Sequence, residues 1–128
     1  MLIVGGYGGS FSAEAVDMRG EGRVCESLPD YPIGLSDAVA SVTEGIPVVC
    51  GDNPATDACY MLDASDPDNK AWVPFFDSLT EPRSHAIGVQ LNPDDFLLLG
   101  GGQVGMAHNE MILAVGSQEK LCGLAISM

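Results

Sequence analysis

The sequence predicts an all-β fold made of repeated four-stranded antiparallel units. Its 128 residues include 16 glycines and 8 prolines that are spread along the chain, as expected for many short strands joined by tight turns. The pattern contains no long amphipathic helix. One segment, composed of an apolar triplet, a small pair and a glycine-rich polar loop, occurs three times. The length corresponds to about one domain, and 46% hydrophobic residues suffice for a core.

The three copies of this segment align without gaps. They are LIVGGYGGSFSAEAVDM at 2–18, PVVCGDNPATDACYMLD at 47–63 and LLLGGGQVGMAHNEMIL at 97–113. Their small pairs are Gly5-Gly6, Cys50-Gly51 and Gly100-Gly101. The period is therefore 45 residues and then 50 residues. Repeats of about 40 to 50 residues with four strands each are typical of β-propellers, in which stacked blades bury each other's apolar faces.

The strands of each unit are named a to d from the propeller axis outward. The first repeat has b at 1–5, c at 14–18 and d at 23–27, without a strand a. The second has a at 36–42, b at 46–51, c at 59–63 and d at 71–76. The third has a at 85–91, b at 96–100, c at 109–114 and d at 120–125. The blades thus span 1–27, 36–76 and 85–125, about two and three-quarter blades.

A closed ring takes about 4 to 8 blades, so three predicted blades do not complete one. We expect the missing blades to come from a longer chain of which this is a fragment, or from self-association.

The second repeat carries the clearest family pattern. It reads Val48-Val49-Cys50-Gly51, then Tyr60, then Trp72, then Pro82-Arg83 at the start of the next unit. With these residues the chain resembles kelch repeats over nearly its whole length. It departs from that pattern at Cys50, which replaces a glycine, and at Cys25 and Cys122, which replace the tryptophan. The resemblance implies a kelch-type propeller in which Trp72 and the three small pairs are structural.

A dinucleotide-binding fingerprint also occurs by spacing, at Gly100, Gly102 and Gly105, with Glu119 about twenty residues after the first of them. That fingerprint requires a helix after Gly105 inside a βαβ unit, whereas the repeat predicts a strand there. We therefore interpret these glycines as residues that supply positive φ near the end of a strand, and we expect no cofactor.

The charge balance restricts the partners. The chain has 18 acidic and 5 basic residues and a net charge of -13. Such a surface repels phosphate backbones and anionic lipids, so we expect neither nucleic acid binding nor membrane insertion. A basic protein or peptide would be attracted, although acidic surfaces also simply keep proteins soluble.

The four cysteines leave two interpretations open. Cys50 ends predicted strand b and Cys59 begins strand c, so the two can face each other across the mouth of a hairpin and form a disulfide. Alternatively, all four are small buried apolar residues. Cys25 and Cys122 lie on outer strands of different units and are not expected to meet. A bridge would indicate an oxidising compartment, and the resemblance to extracellular kelch-type proteins points the same way.

The loops are the predicted interaction surface. In kelch propellers the b–c and d–a loops gather on one face and often bind partner peptides. Here the b–c loops would be 6–13, 51–58 and 101–108, and the d–a loops 28–35 and 77–84. Aromatic residues flanked by acids suit a basic or amphipathic peptide. The candidate partner-binding residues are Tyr7, Phe11, Asp30, Tyr31, Asp52, Asp57, Asp77, Glu81 and Arg83.

The predicted function is therefore a non-catalytic protein-interaction module. The alternatives are a fragment of a galactose-oxidase-like copper enzyme and a structural segment of a longer kelch adaptor or secreted kelch protein. Galactose oxidase has a kelch-type propeller and binds copper through tyrosine and histidine ligands. The tyrosines, His85 and His108 do not reproduce that arrangement in this sequence. His85 has no base or nucleophile in register beside it, so we predict no catalytic, cofactor or metal residues. The acidic run 63–68 lacks the glycine and glutamate of an EF-hand loop and predicts a turn.

Overall fold

The computed structural model describes residues 1–16, 24–75, 79–93, 95–101 and 109–113. Within these residues the regular structure consists of ten β-strands and no helix, which confirms the all-β prediction. The strands are β1 (Leu2–Val4), β2 (Ala13–Val16), β3 (Val24–Ser27), β4 (Val39–Thr43), β5 (Ile46–Cys50), β6 (Cys59–Asp63), β7 (Ala71–Pro74), β8 (Ile87–Gln90), β9 (Asp95–Leu99) and β10 (Asn109–Leu113).

The strands form three antiparallel sheets, each in chain order. Their orders are β1-β2-β3, β4-β5-β6-β7 and β8-β9-β10. These correspond to predicted strands b to d of the first repeat, a to d of the second repeat and a to c of the third repeat. The predicted strand at 120–125 lies outside the described residues. β8 begins at Ile87 rather than at residue 85 because His85 has φ 56°, which is incompatible with a strand.

The chain divides into two compact units, termed the first unit and the second unit, which do not coincide with the three repeats of the sequence. The first contains Met1–Ser36 and the hairpin Leu62–Trp72, and the second contains Asp37–Met61 and Val73–Met128.

Trp72 organises the core of the first unit. Its ring packs edge-on against Tyr31, with ring centroids 5.0 Å apart and planes at 69°. Its Nε1 donates a hydrogen bond to the Pro29 carbonyl at 3.0 Å. Trp72 and Tyr31 are both buried, together with Ala13 and Leu35. The structure thus places Trp72 in the core of the first unit.

The core cluster of the second unit is built from alternate residues of its strands. The cluster consists of Val39, Val48, Cys50, Cys59, Leu79, Phe96 and Leu98. Its members on one strand are two residues apart, because successive side chains point to opposite faces of a sheet. Gly88 allows β8 to approach β4: a Cβ at this position would lie 2.6 Å from Val39 Cγ2 and 3.0 Å from Phe96 Cε2.

The core of the second unit also contains a disulfide between Cys50 and Cys59, the pair that the sequence places across a hairpin mouth. The two residues are directly opposite on β5 and β6, with Cα atoms 4.1 Å apart. The Gly51 N–H donates to the Ala58 carbonyl, which makes this a non-hydrogen-bonded pair, the type with the closest Cα approach.

Strand pairing shifts the alignment of the repeats by one residue. Each of three strands ends opposite the first residue of its partner: Val4 opposite β2, Cys50 opposite β6 and Leu99 opposite β10. The residues that follow them are therefore the equivalent glycines, Gly5, Gly51 and Gly100, with φ values of 72°, 70° and 62°. Cys50 is a strand residue rather than the counterpart of Gly5, because a left-handed glycine, not a small side chain, ends each strand.

Candidate functional site

The first loop pair consists of loop 6–13 and loop 28–35, both in the first unit. The Gly6 N–H donates to the Leu35 carbonyl at 2.9 Å, and the Leu35 N–H donates to the Ser10 carbonyl at 2.9 Å. The predicted b–c and d–a loops of this unit are therefore joined through their backbones, which fixes where their side chains project.

The second loop pair, loop 51–58 with loop 77–84, repeats this pattern within the second unit. The Asp52 N–H donates to the Arg83 carbonyl at 3.0 Å, and the Arg83 N–H donates to the Thr56 carbonyl at 2.9 Å. The b–c residues are displaced by 46 positions from those of the first loop pair and the d–a residues by 48. The repeat is thus one of backbone geometry, with Arg83 at the position that corresponds to Leu35 in the first unit.

The first loop pair exposes three of its four candidate side chains. Tyr7 is fully exposed, Phe11 is 52% exposed and Asp30 is exposed. Tyr31 is only 1% exposed because its ring lies against Trp72. The structure therefore places Tyr31 in the core and leaves two aromatic rings and one carboxylate at the surface of these loops.

The second loop pair exposes fewer of its candidates. Asp57 is exposed and Glu81 is half-buried, whereas Asp52 and Arg83 are buried. The Arg83 guanidinium donates from Nη1 to the Gly100 carbonyl at 2.6 Å, so this side chain ties the d–a loop to the end of β9. Asp77 lies outside the described residues.

A polar patch beside the second loop pair was not predicted from the sequence. Asn53 Nδ2 donates to Asp37 Oδ2 at 3.0 Å, and His85 Nε2 lies 3.3 Å from the same oxygen. His85 also donates its backbone N–H to the Asp37 carbonyl. Asp37 and His85 each lie two residues after the equivalent positions Leu35 and Arg83, which is the signal that could have paired them. The patch offers an imidazole, an amide and a carboxylate for hydrogen bonding.

The acidic run between β6 and β7 forms the predicted turn. The Ser65 N–H donates to Asp63 Oδ1 and the Asp68 N–H donates to Asp66 Oδ1, both at 3.0 Å. Two hydrogen bonds from Ser65 hold the pKa of Asp63 below its ordinary value; the backbone bond has the larger effect and the side-chain bond the smaller one. Among the described residues, no three or more His, Cys, Asp and Glu side chains are grouped so that they could hold a metal ion.

Gly51 provides a test of the close approach between the loops of the second pair. A Cβ on Gly51 would lie 2.7 Å from the Arg83 carbonyl oxygen, in addition to the strain of a side chain at φ 70°. Gly45 has a similar φ of 80°, but no atom of the described residues lies within 4 Å of its Cβ position. We expect Gly45→Ala to lower the free energy of unfolding by about 1 kcal/mol and Gly51→Ala by about 2 kcal/mol.

Urea denaturation of the two glycine variants and the wild type measures this difference. Equal losses for Gly51→Ala and Gly45→Ala would mean that the loops of the second pair do not approach as closely as described.

No protein-family model matches the chain, and no curated protein matches it. In the part of the chain that the structure describes, no helix has the length and apolarity to cross a membrane.

Proposed function

We propose that this chain is a non-catalytic protein-interaction module of kelch-like repeats, which binds a partner protein or peptide through its b–c and d–a loops. The observation that carries the proposal is Tyr7. Its ring is fully exposed in a loop whose neighbouring residue, Gly6, is hydrogen-bonded to Leu35. An anchored loop presents an exposed aromatic ring at little entropic cost on binding.

The chemistry of the first loop pair favours a partner with both apolar and basic groups. Tyrosine is among the residues that dominate binding energy at interfaces, and Phe11 extends the apolar surface in the same loop. Asp30 is exposed in the other loop of the pair, and the whole chain carries a net charge of -13. Complementary charge accelerates association and selects against acidic partners. We therefore propose a basic peptide segment with an apolar side chain as the ligand.

The second loop pair adds polar groups to the proposal. Asp57 and Glu81 supply carboxylates, and His85 with Asp37 supplies the polar patch beside them. These groups suit hydrogen bonds to a peptide, whereas Arg83 acts as a structural residue.

The disulfide supports an extracellular setting for this interaction. The chain has a disulfide between Cys50 and Cys59, and disulfides in general persist in oxidising compartments and are rare in the reducing cytosol. We propose that the module acts outside the reducing cytosol.

Peptide selection on the immobilised full chain tests the function. We expect a random displayed library to enrich peptides rich in Lys and Arg with at least one apolar anchor. Tyr7→Ala should weaken the best peptide by about tenfold or more, because removal of a central aromatic residue at an interface costs at least about 1.4 kcal/mol. Fluorescence polarisation with a labelled peptide measures the dissociation constant.

Two further variants sharpen this experiment. Asp30→Lys should weaken the same peptide and reduce the dependence of its affinity on salt. Val42→Ala is the control, since Val42 is 47% exposed but lies at the far end of β4 from the loops. Peptides that bind Tyr7→Ala and Asp30→Lys as tightly as wild type would refute the proposed surface.

A further inference from the structure

One apolar surface of the second unit is separate from the loops. It consists of Ile87, Val89, Leu91, Leu97 and Leu99, on and beside β8 and β9, and we call it the open face. Ile87 is 65% exposed, and Val89 and Leu91 are also exposed, while Leu97 and Leu99 are half-buried. These five side chains are all apolar, and contiguous exposed apolar surface on a folded protein commonly marks an interaction site.

Strand register identifies the counterpart of the open face in the preceding repeat. Val39 is paired with Cys50, and Ile87 is paired with Leu99. Since Cys50 and Leu99 end equivalent strands, Val39 and Ile87 are equivalent residues. The same register matches the remaining members of each face in order. The counterparts of the open face are therefore Val39, Ser41, Thr43, Val48 and Cys50.

That counterpart face is covered by the next repeat. Val39, Val48 and Cys50 belong to the core cluster that includes Phe96 of β9. Gly88 of β8 lies against the Val39 side chain, and the Ser41 hydroxyl donates a hydrogen bond to Gln90 Oε1. Where a following inner strand packs on these positions, four of the five are thus buried and Ser41 is half-buried.

We propose that the open face is the docking surface for a further repeat of the same kind. The repeat would place its inner strand against Ile87 as β8 is placed against Val39. Its residue corresponding to Gly88 must be very small, because a Cβ at Gly88 itself would lie 2.6 Å from Val39 Cγ2 and isoleucine is larger than valine. An aromatic or branched residue equivalent to Phe96 would complete the contact.

Continuity with the existing repeat interface favours this occupant over a second copy of the chain or an unrelated peptide. The open face is more apolar than its counterpart, since Val89 and Leu91 correspond to Ser41 and Thr43. Burial of apolar surface stabilises in proportion to its area, so this face favours a docked repeat over exposure to water.

A lengthened protein tests this proposal. The full chain is compared with the same chain followed by a copy of its residues 28–76, in which two residues are changed. Ala40 of the copy, which corresponds to Gly88, becomes glycine, and Pro47 of the copy, which corresponds to Phe96, becomes phenylalanine. Hydrogen exchange with mass spectrometry follows the amides of β8 and of the added repeat. We expect exchange at β8 to slow by about tenfold or more in the longer protein, with the added repeat protected as well.

Two substitutions in the longer protein locate the contact. Ile87→Asp should remove the added protection of β8, because it places a carboxylate in the apolar contact. Ile46→Asp is the matched control and should preserve the protection, since Ile46 is 41% exposed outside the open face and its counterpart in the next repeat is Asp95.

The proposal fails if β8 exchanges equally fast in both proteins, or if the added repeat is unprotected, because a matching repeat should fold onto its docking surface. It also fails if β8 of the unextended chain is protected in a concentration-dependent way, since a second copy would then occupy the face. None of these results bears on peptide binding by the loops, which is measured with Tyr7→Ala.

Discussion

Replacement of Trp72 by alanine is expected to lower the free energy of unfolding by about 4 kcal/mol. The indole is buried, packs edge-on against Tyr31 and donates a hydrogen bond to the Pro29 carbonyl. Alanine would leave a cavity and remove the donor from a part-buried carbonyl, and both effects destabilise. Trp72→Phe keeps most of the packing and should cost about half as much.

Urea denaturation followed by circular dichroism measures the free energy of unfolding of the Trp72 variants. Tryptophan fluorescence cannot be used for them, because the substitution removes the only tryptophan of the chain. Tyr7→Ala is a suitable control, since its ring is fully exposed and its loss should change stability by less than about 0.5 kcal/mol. A Trp72→Ala variant as stable as Tyr7→Ala would show that this core is not formed as described.

Loss of the Cys50–Cys59 disulfide has the second large expected effect. The bridge closes a short loop with a sequence separation of 9, and removal of such a crosslink costs about 2.5 kcal/mol of unfolding free energy in the chain-entropy model. The double substitution Cys50→Ala with Cys59→Ala should therefore unfold at a lower urea concentration than wild type.

A reducing agent separates the crosslink from the packing of the two cysteines. Wild type should lose stability when reduced, whereas the double alanine variant should not change. Equal stability of oxidised and reduced wild type would contradict a stabilising role for the bridge between β5 and β6.

The sequence was sufficient for the fold class and for most strands, because those depend on local patterns. Alternating apolar residues and glycine-rich turns predict strands wherever they occur. The alignment of Cys50 with Gly5 was shifted by one residue because Cys50-Gly51 reads as a small pair. Only the pairing of Cys50 with Cys59 shows that it is Gly51 that ends the strand.

The candidate site was predictable as a set of loops but not in its side-chain exposure. Tyr31 and Arg83 are buried because each packs against residues distant in sequence, Trp72 and Gly100. Leu35, at the position equivalent to Arg83, was a usable sign of burial, since an exposed loop position has no need of leucine. The polar patch of Asp37 and His85 depends on contact between residues 48 positions apart, which local patterns do not reveal.

The position of Trp72 makes the two units distinguishable by spectroscopy. This single fluorophore belongs to the first unit, whereas the amide signal in circular dichroism comes from strands of both units. If the two signals change at the same denaturant concentration, the units unfold as one cooperative system. If the fluorescence changes first, the first unit opens while the core of the second unit persists. The native chain thus contains its own reporter of folding cooperativity.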